Sequence, residues 1–194
     1  YDESENFDEV YERIARKIVS LKDVVYAVPG HPLVAEKSVQ LIKKYAKQEG
    51  IEVEIHPALS FIDTVVAALG IDPVDGLKII DGFQIGLQKP DVNVGNIVTQ
   101  VYSRMMTADI KIKLMDFYDD DQEVILIRAA GVPGLEKIQK MPLYEIDRVQ
   151  WVDYLTSLYI PPVTNKTKYS FEDLLDTMVK LRGDDGCPWD REQN

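Results

Sequence analysis

Cysteine is almost absent from this chain: Cys187 is the only one in 194 residues. No disulfide framework can form within it, and a reducing, cytoplasmic compartment is the natural expectation. Histidine is nearly as scarce, with His31 and His56 alone. Two histidines and one cysteine make a protein-built zinc site improbable, so no metal ligands are assigned. No run approaches the roughly 18 apolar residues that a membrane helix needs. Basic residues are outnumbered, 22 against 33 acidic ones, for a net charge of −11. No basic stripe interrupts this excess, which argues against a nucleic-acid polymer or a membrane as partner.

What is present reads as ordinary globular protein, 45% hydrophobic and 28% charged. The opening is acidic. In it Phe7, Val10, Tyr11, Ile14, Ile18 and Leu21 recur at helical spacing. "DVVYAV" follows, a short apolar run of the kind shown by a strand buried on both faces. Leu33 to Gln48 has a helical pattern, with Gly50 as its stop. "IEVEI", Ile51 to Ile55, alternates like a second strand. Phe61 to Leu69 is expected as a helix capped by Ser60, with Asp63 completing a capping box and Gly70 ending it.

Two successive strand–loop–helix units therefore open the chain. A right-handed crossover makes their strands parallel and brings the loops "PGHP" and "HPALS" to one sheet edge. Open α/β sheets bind ligands at that edge. "GIDPVDG", Gly70 to Gly76, is the expected domain boundary. Beyond it "NIVTQVYS", "EVILIRAAG" and "LTSLYI" read as strands, and Arg104 to Met115 as a helix. "PPVTNKTK" reads as a linker, and "YSFEDLLDTMVKLRG" as an amphipathic helix capped by Ser170.

The loop Pro29-Gly30-His31-Pro32 carries the functional question. Gly30 admits close backbone approach and left-handed conformations, and Pro32 suits a first helical position. Backbone amides there could hold a nucleoside such as an adenosyl group. On these four residues alone, a rigid strand–helix turn is the simpler reading.

The longer pattern tips the balance. "VVYAVPGHPLVAE", then "IEVEIHPALSFIDTVVAALGI", resembles the tetrapyrrole (corrin/porphyrin) methylase family. The subgroup fused to a MazG-type nucleotide pyrophosphohydrolase matches best, because "KLRGDDGCPWDREQ" resembles the opening of a MazG domain. The resemblance implies an α/β fold of two domains in a kidney-like arrangement with the cofactor between them, followed by the start of an all-α MazG domain. The expected division is 1–72, 73–162 and 163–194. The family's opening strand and Gly-rich loop have no counterpart, so the chain reads as a fragment whose sheet exposes unpaired edges or lacks an inner member.

Residue by residue, the resemblance implies S-adenosylmethionine contacts at Pro29, Gly30, His31, Val34, Ser60, Phe61, Val101 and Ala130. His31 stands where the family usually has aspartate. Pro57-Ala58 replaces Pro-Gly, and Phe61 adds bulk where alanine is common. The implied activity is methyl transfer to a small-molecule acceptor of unknown identity, with no residue assigned a catalytic role. The alternative is a catalytically inactive methylase-fold module that regulates a MazG nucleoside triphosphate pyrophosphohydrolase. Mg²⁺ is expected only for the MazG part, whose metal-binding residues would lie downstream. A homodimer is the implied assembly.

Other features have plainer readings. Asp119, Asp120 and Asp121 form a solvated loop without spaced cation ligands. Cys187 is a structural element, since no basic neighbour lowers its pKa in sequence. Trp151, Tyr154 and Tyr159 read as packing residues rather than a stacking platform.

Overall fold

The computed structural model describes residues 7–164, 168–169 and 171–192. The expected cap Ser170 and part of the linker lie outside them. The chain divides into two units, Tyr1–Ile71 and Asp72–Asn194, with the division inside the Gly70–Gly76 loop. Among the described residues, no helix is long and apolar enough to cross a membrane.

Three helices build the first unit: α1 (Phe7–Leu21), α2 (Lys37–Glu49) and α3 (Phe61–Leu69). Ala15 and Val19 of α1 bury themselves against Ile42, Tyr45 and Ala46 of α2. The buried stripe on α1 is displaced slightly from the predicted one. Val10, Ala15 and Val19 are covered, whereas Leu21 is half exposed. Tyr45 donates its hydroxyl to Glu12, and the Arg16 guanidinium lies over the Tyr45 ring, so the two helices are tied at their polar rim as well.

Two expectations fail here. "DVVYAV" and "IEVEI" are extended but form no strand, and Val25 is 92% exposed. Tyr26 and Ile51 pack on the α1–α2 core, so each segment is anchored on one side only. A strand requires a ladder partner, and neither segment has one among the described residues. They run as the flanks of a sheet lacking an inner member would. The second failure is at α2, which begins at Lys37 rather than Leu33. Ala35 sits at φ 58°, a left-handed value that ends any helical path through Val34. Pro32 is therefore part of a turn and not of the first helical turn.

The second unit closes a sheet of five strands: β1 (Leu77–Asp81), β2 (Gly95–Thr99), β3 (Glu123–Arg128), β4 (Lys137–Pro142) and β5 (Thr156–Ile160). Their order is β1-β2-β5-β3-β4. β1 and β2 are parallel, while β5 runs antiparallel to both β2 and β3. β1, β2 and β3 thus point the same way, and their carboxyl ends share one edge with the start of β5. All five residues of β5, in the middle, are buried.

Helix α5 (Arg104–Leu114) and the 3₁₀ segment Leu143–Arg148 cover the sheet with Ile110, Leu114, Leu143 and Ile146. Lys111 pairs with Asp147 at 2.6 Å to hold these two elements together. Gly95 has a packing reason, because a Cβ there would meet the Tyr159 hydroxyl at 2.8 Å. Buried Asn96 donates to the Asp91 and Val94 carbonyls and to the Tyr118 hydroxyl. Burial, reinforced by the Asp91 charge, raises the Tyr118 pKa. β4 is an edge strand with Lys137 and Lys140 exposed on it, a charged margin that discourages further pairing.

A short helix α4 (Ile85–Gln88) precedes β2, and two helices, α6 (Phe171–Arg182) and α7 (Pro188–Arg191), end the described chain. The linker is partly docked: Val163 N–H donates to the Val92 carbonyl, and Lys168 donates to the carbonyls of Met115 and Tyr118. The apolar side of α6 is uncovered, with Leu174, Met178 and Val179 at least half exposed.

Candidate functional site

In the first unit the residues predicted to line a ligand site converge on one loop pair. Gly30 takes φ 76°, which only glycine adopts freely, and is exposed. A Cβ added to it would meet the Leu59 carbonyl oxygen at 3.4 Å. The Pro29–His31 loop and the "HPALS" loop therefore lie side by side, as the crossover argument requires. The surface between them is backbone rather than side chain.

His31 has a defined task. Its Nδ1 accepts the Leu33 N–H at 3.1 Å, and its carbonyl accepts the Val34 N–H at 3.0 Å. The proton of the neutral ring is thereby assigned to Nε2. An aspartate at this position would cap the same amide two residues on, so the imidazole takes over an aspartate's local role. With Gly30 and Ala35 both left-handed, the loop is held in a conformation that ordinary turns avoid. Val34 and Phe61 are half-buried.

Ser60 is buried and caps α3. Asp63 accepts from the Ser60 N–H at 2.6 Å and from its hydroxyl at 2.7 Å. Gly70 ends the helix at φ 64°. The Ser60 hydroxyl bond, then its backbone bond and the nearby His31, hold the Asp63 pKa below the usual carboxylate value. One compact arrangement thus joins Gly30, His31, Ser60 and Asp63.

The other two predicted residues lie in the second unit. Val101, just past β2, is fully buried and is part of the sheet's core. Ala130 follows β3, is half-buried, and stands next to Ala129 at φ 50°. Gln100, just after β2, is also left-handed at φ 64°. Two non-glycine residues are thus strained at the same sheet edge, the one to which ligands bind in α/β proteins. Turns there are pinned by side chains: Asp81 accepts the Phe83 N–H, and Asp153 accepts the Leu155 N–H. Burial opposes the Asp153 charge, but the Arg128 hydrogen bond outweighs it and lowers the pKa.

The sequence gave no warning of one feature of this edge. Phe83, Tyr102 and Tyr154 form a ladder of rings, with centroids 6.0 Å and then 5.8 Å apart. Tyr154, expected as a packing residue, is 89% exposed. Tyr159 is buried, and Trp151 packs against the core, as expected of both. Topology alone assembles the ladder, since its members lie on three turns far apart in sequence. Among the described residues, no three His, Cys, Asp or Glu side chains cluster as a metal site.

Comparison with known proteins places this geometry in context. Residues 2–147 match the model of the tetrapyrrole (corrin/porphyrin) methylases. The uncharacterised protein YabN of Bacillus subtilis is 38% identical over 198 residues, which cover all of this chain. The chain spans about 40% of that relative's length. A methyltransferase and borosin cyclic peptide precursor of Phlebiopsis gigantea is 29% identical over 159 residues, covering 73% of this chain and 28% of the relative. Among solved structures, the methyltransferase CobJ superposes with a TM-score of 0.62 at 15% identity, covering 82% of this chain and 74% of its own. The uroporphyrin-III-C-methyltransferase of Thermus thermophilus gives 0.63 at 16% identity, covering 77% and 70%. With a family model matched over most of its length and the corresponding fold, the chain belongs to the tetrapyrrole (corrin/porphyrin) methylase family.

Proposed function

We propose that this chain is an S-adenosylmethionine-dependent methyltransferase domain acting on a small-molecule acceptor. The carrying observation is Gly30: exposed, left-handed, and so close to the Leu59 carbonyl that a larger residue would fill the gap. The residues present fit an adenosyl group. Pro29, Gly30 and His31 would present backbone to it, Val34 and Phe61 apolar surface, and Ser60 a capped, rigid support. When bound, the cofactor supplies a sulfonium methyl that is already activated for transfer. What the protein adds is alignment, which suits a loop made of fixed backbone and few acid–base groups.

The family relatives support a methyltransferase without fixing the acceptor. One is a uroporphyrin-III methyltransferase and one a methyltransferase joined to its own peptide substrate. A multiply carboxylated acceptor suits this acidic chain poorly, because no cluster of free cations is visible in sequence.

For the longer protein we propose a second activity. "DDGCPWD" and the uncovered apolar side of α6 support the start of a MazG-type domain, whose further helices would cover that side. Such a domain would cut nucleoside triphosphates with Mg²⁺ held by residues beyond this chain. The reading of the methylase part as an inactive regulatory module drew on the loss of the family's aspartate. It loses that support, because His31 performs the aspartate's local hydrogen bond. A homodimer is proposed for either reading, and sedimentation of the longer protein at micromolar concentration tests it.

Calorimetric titration of the longer protein with S-adenosylhomocysteine tests the cofactor reading. Saturable binding is expected, and Gly30→Val is expected to abolish it while preserving the helical circular dichroism. Equal binding by Gly30→Val would remove this loop from the site.

A further inference from the structure

The ring ladder in the second unit has no structural employment. Phe83, Tyr102 and Tyr154 are all absent from the core that holds the sheet together. Phe83 is 54% exposed and Tyr154 89%. Leaving such surface in water forfeits the stabilisation that burial of an aromatic side chain normally brings. Yet their positions are not left to chance. Tyr102 and Tyr154 stack with an interplanar angle of 24°, and Phe83 meets Tyr102 at 53°. The two outer rings sit on turns fixed by Asp81 and Asp153, and the second carboxylate is itself held by Arg128 at 2.7 Å. Gln100 and Ala129, both strained, flank the same edge.

We propose that this ladder is a stacking site for one planar heteroaromatic ring, monocyclic or fused bicyclic, which extends the stack on the outer face of Tyr154. A flat π-system is the occupant that the geometry selects. The existing rings are already at the spacing at which aromatic faces attract, and the next position in the series is open to solvent. The extent of the surface argues for a small molecule over a protein. A stable protein interface takes about 800 Å² from each partner, whereas this ladder offers the face of a single ring. The chain's net charge of −11 favours a neutral or cationic ring over an anionic one. This site stands apart from the cofactor reading, since all its residues lie in the second unit and none was assigned to the adenosyl group.

The test is an NMR titration of the longer protein carrying ring-labelled tyrosine, with indole as probe and cyclohexylmethanol as the non-aromatic control. Saturating S-adenosylhomocysteine is present throughout. Its success or failure in binding does not alter the readout. Indole is expected to shift the Tyr154 and Tyr102 ring signals upfield and saturably, with cyclohexylmethanol leaving them in place. Tyr154→Leu keeps apolar bulk but removes the π face, and is expected to weaken indole about tenfold. Tyr154→Trp keeps a face and is expected to bind indole within about twofold of the parent. Because Tyr154 lies outside the core, both variants are expected to fold. Shifts that fail to saturate, equal shifts with cyclohexylmethanol, or unchanged affinity in Tyr154→Leu would overturn the proposal.

Discussion

Val24–Val28 and Thr156–Ile160 are both five residues long, and the first, "VVYAV", is the richer in β-formers. Only the second, "TSLYI", is a strand. It lies between β2 and β3, bonded to both, and every residue in it is buried. Val25 in the first is 92% exposed. Propensity describes how a residue suits a pleated, half-buried surface, but the neighbours provide that surface. The first unit draws its cohesion from the α1–α2 pair and the cap of α3, the second from its sheet.

The largest expected effect comes from the second unit's core. Leu158, fully buried opposite Leu126, should cost about 2–5 kcal/mol on replacement by alanine. Urea denaturation followed by tryptophan fluorescence reads this directly, because Trp151 and Trp189 both belong to that unit. A loss below about 1 kcal/mol would mean that the sheet is not the unit's main support.

A smaller effect is expected at the α3 cap, where Ser60→Ala should cost about 1 kcal/mol, measured by loss of helical circular dichroism on heating. The capping carboxylate adds a pH dependence of known sign. Its folded pKa is depressed, so its contribution is present above the unfolded Asp value. It is lost as pH falls through the folded one. Ser60→Ala should flatten that acid-side loss, and an unchanged acid limb would assign the dependence to other carboxylates.

The smallest effect sharpens the contrast. Val25→Ala should change stability by no more than about 0.5 kcal/mol. Hydrogen exchange should find the amides of Val24–Val28 and Ile51–Ile55 fast and those of Thr156–Ile160 slow. Strong protection of Val24–Val28 would reveal a ladder partner and erase the difference between the two regions.

These contrasts explain what the sequence could disclose. Helices α1, α3 and α5 were legible because their stripes, caps and stops are local: Ser60, Asp63 and Gly70 bracket α3 within a few residues. β3 and β5 were legible as dense apolar runs. β4 was not, since "KIQKMP" alternates poorly and is mostly exposed. The late start of α2 depends on a left-handed alanine, which residue type does not announce. At the candidate site, the Pro-Gly-His loop was visible because its residue types are unusual. The ladder of Phe83, Tyr102 and Tyr154 was not, because it exists only once β1, β2 and β5 are neighbours.

The central claim is that the Pro29–Val34 and Leu59–Phe61 loops hold the adenosyl group. Photo-crosslinking of methyl-labelled S-adenosylmethionine to the longer protein, followed by peptide mapping, tests it most directly. The account predicts that label falls in peptides containing Pro29–Val34 or Leu59–Phe61 and that excess S-adenosylhomocysteine suppresses it. Suppressible label found only in peptides remote from both loops would contradict it.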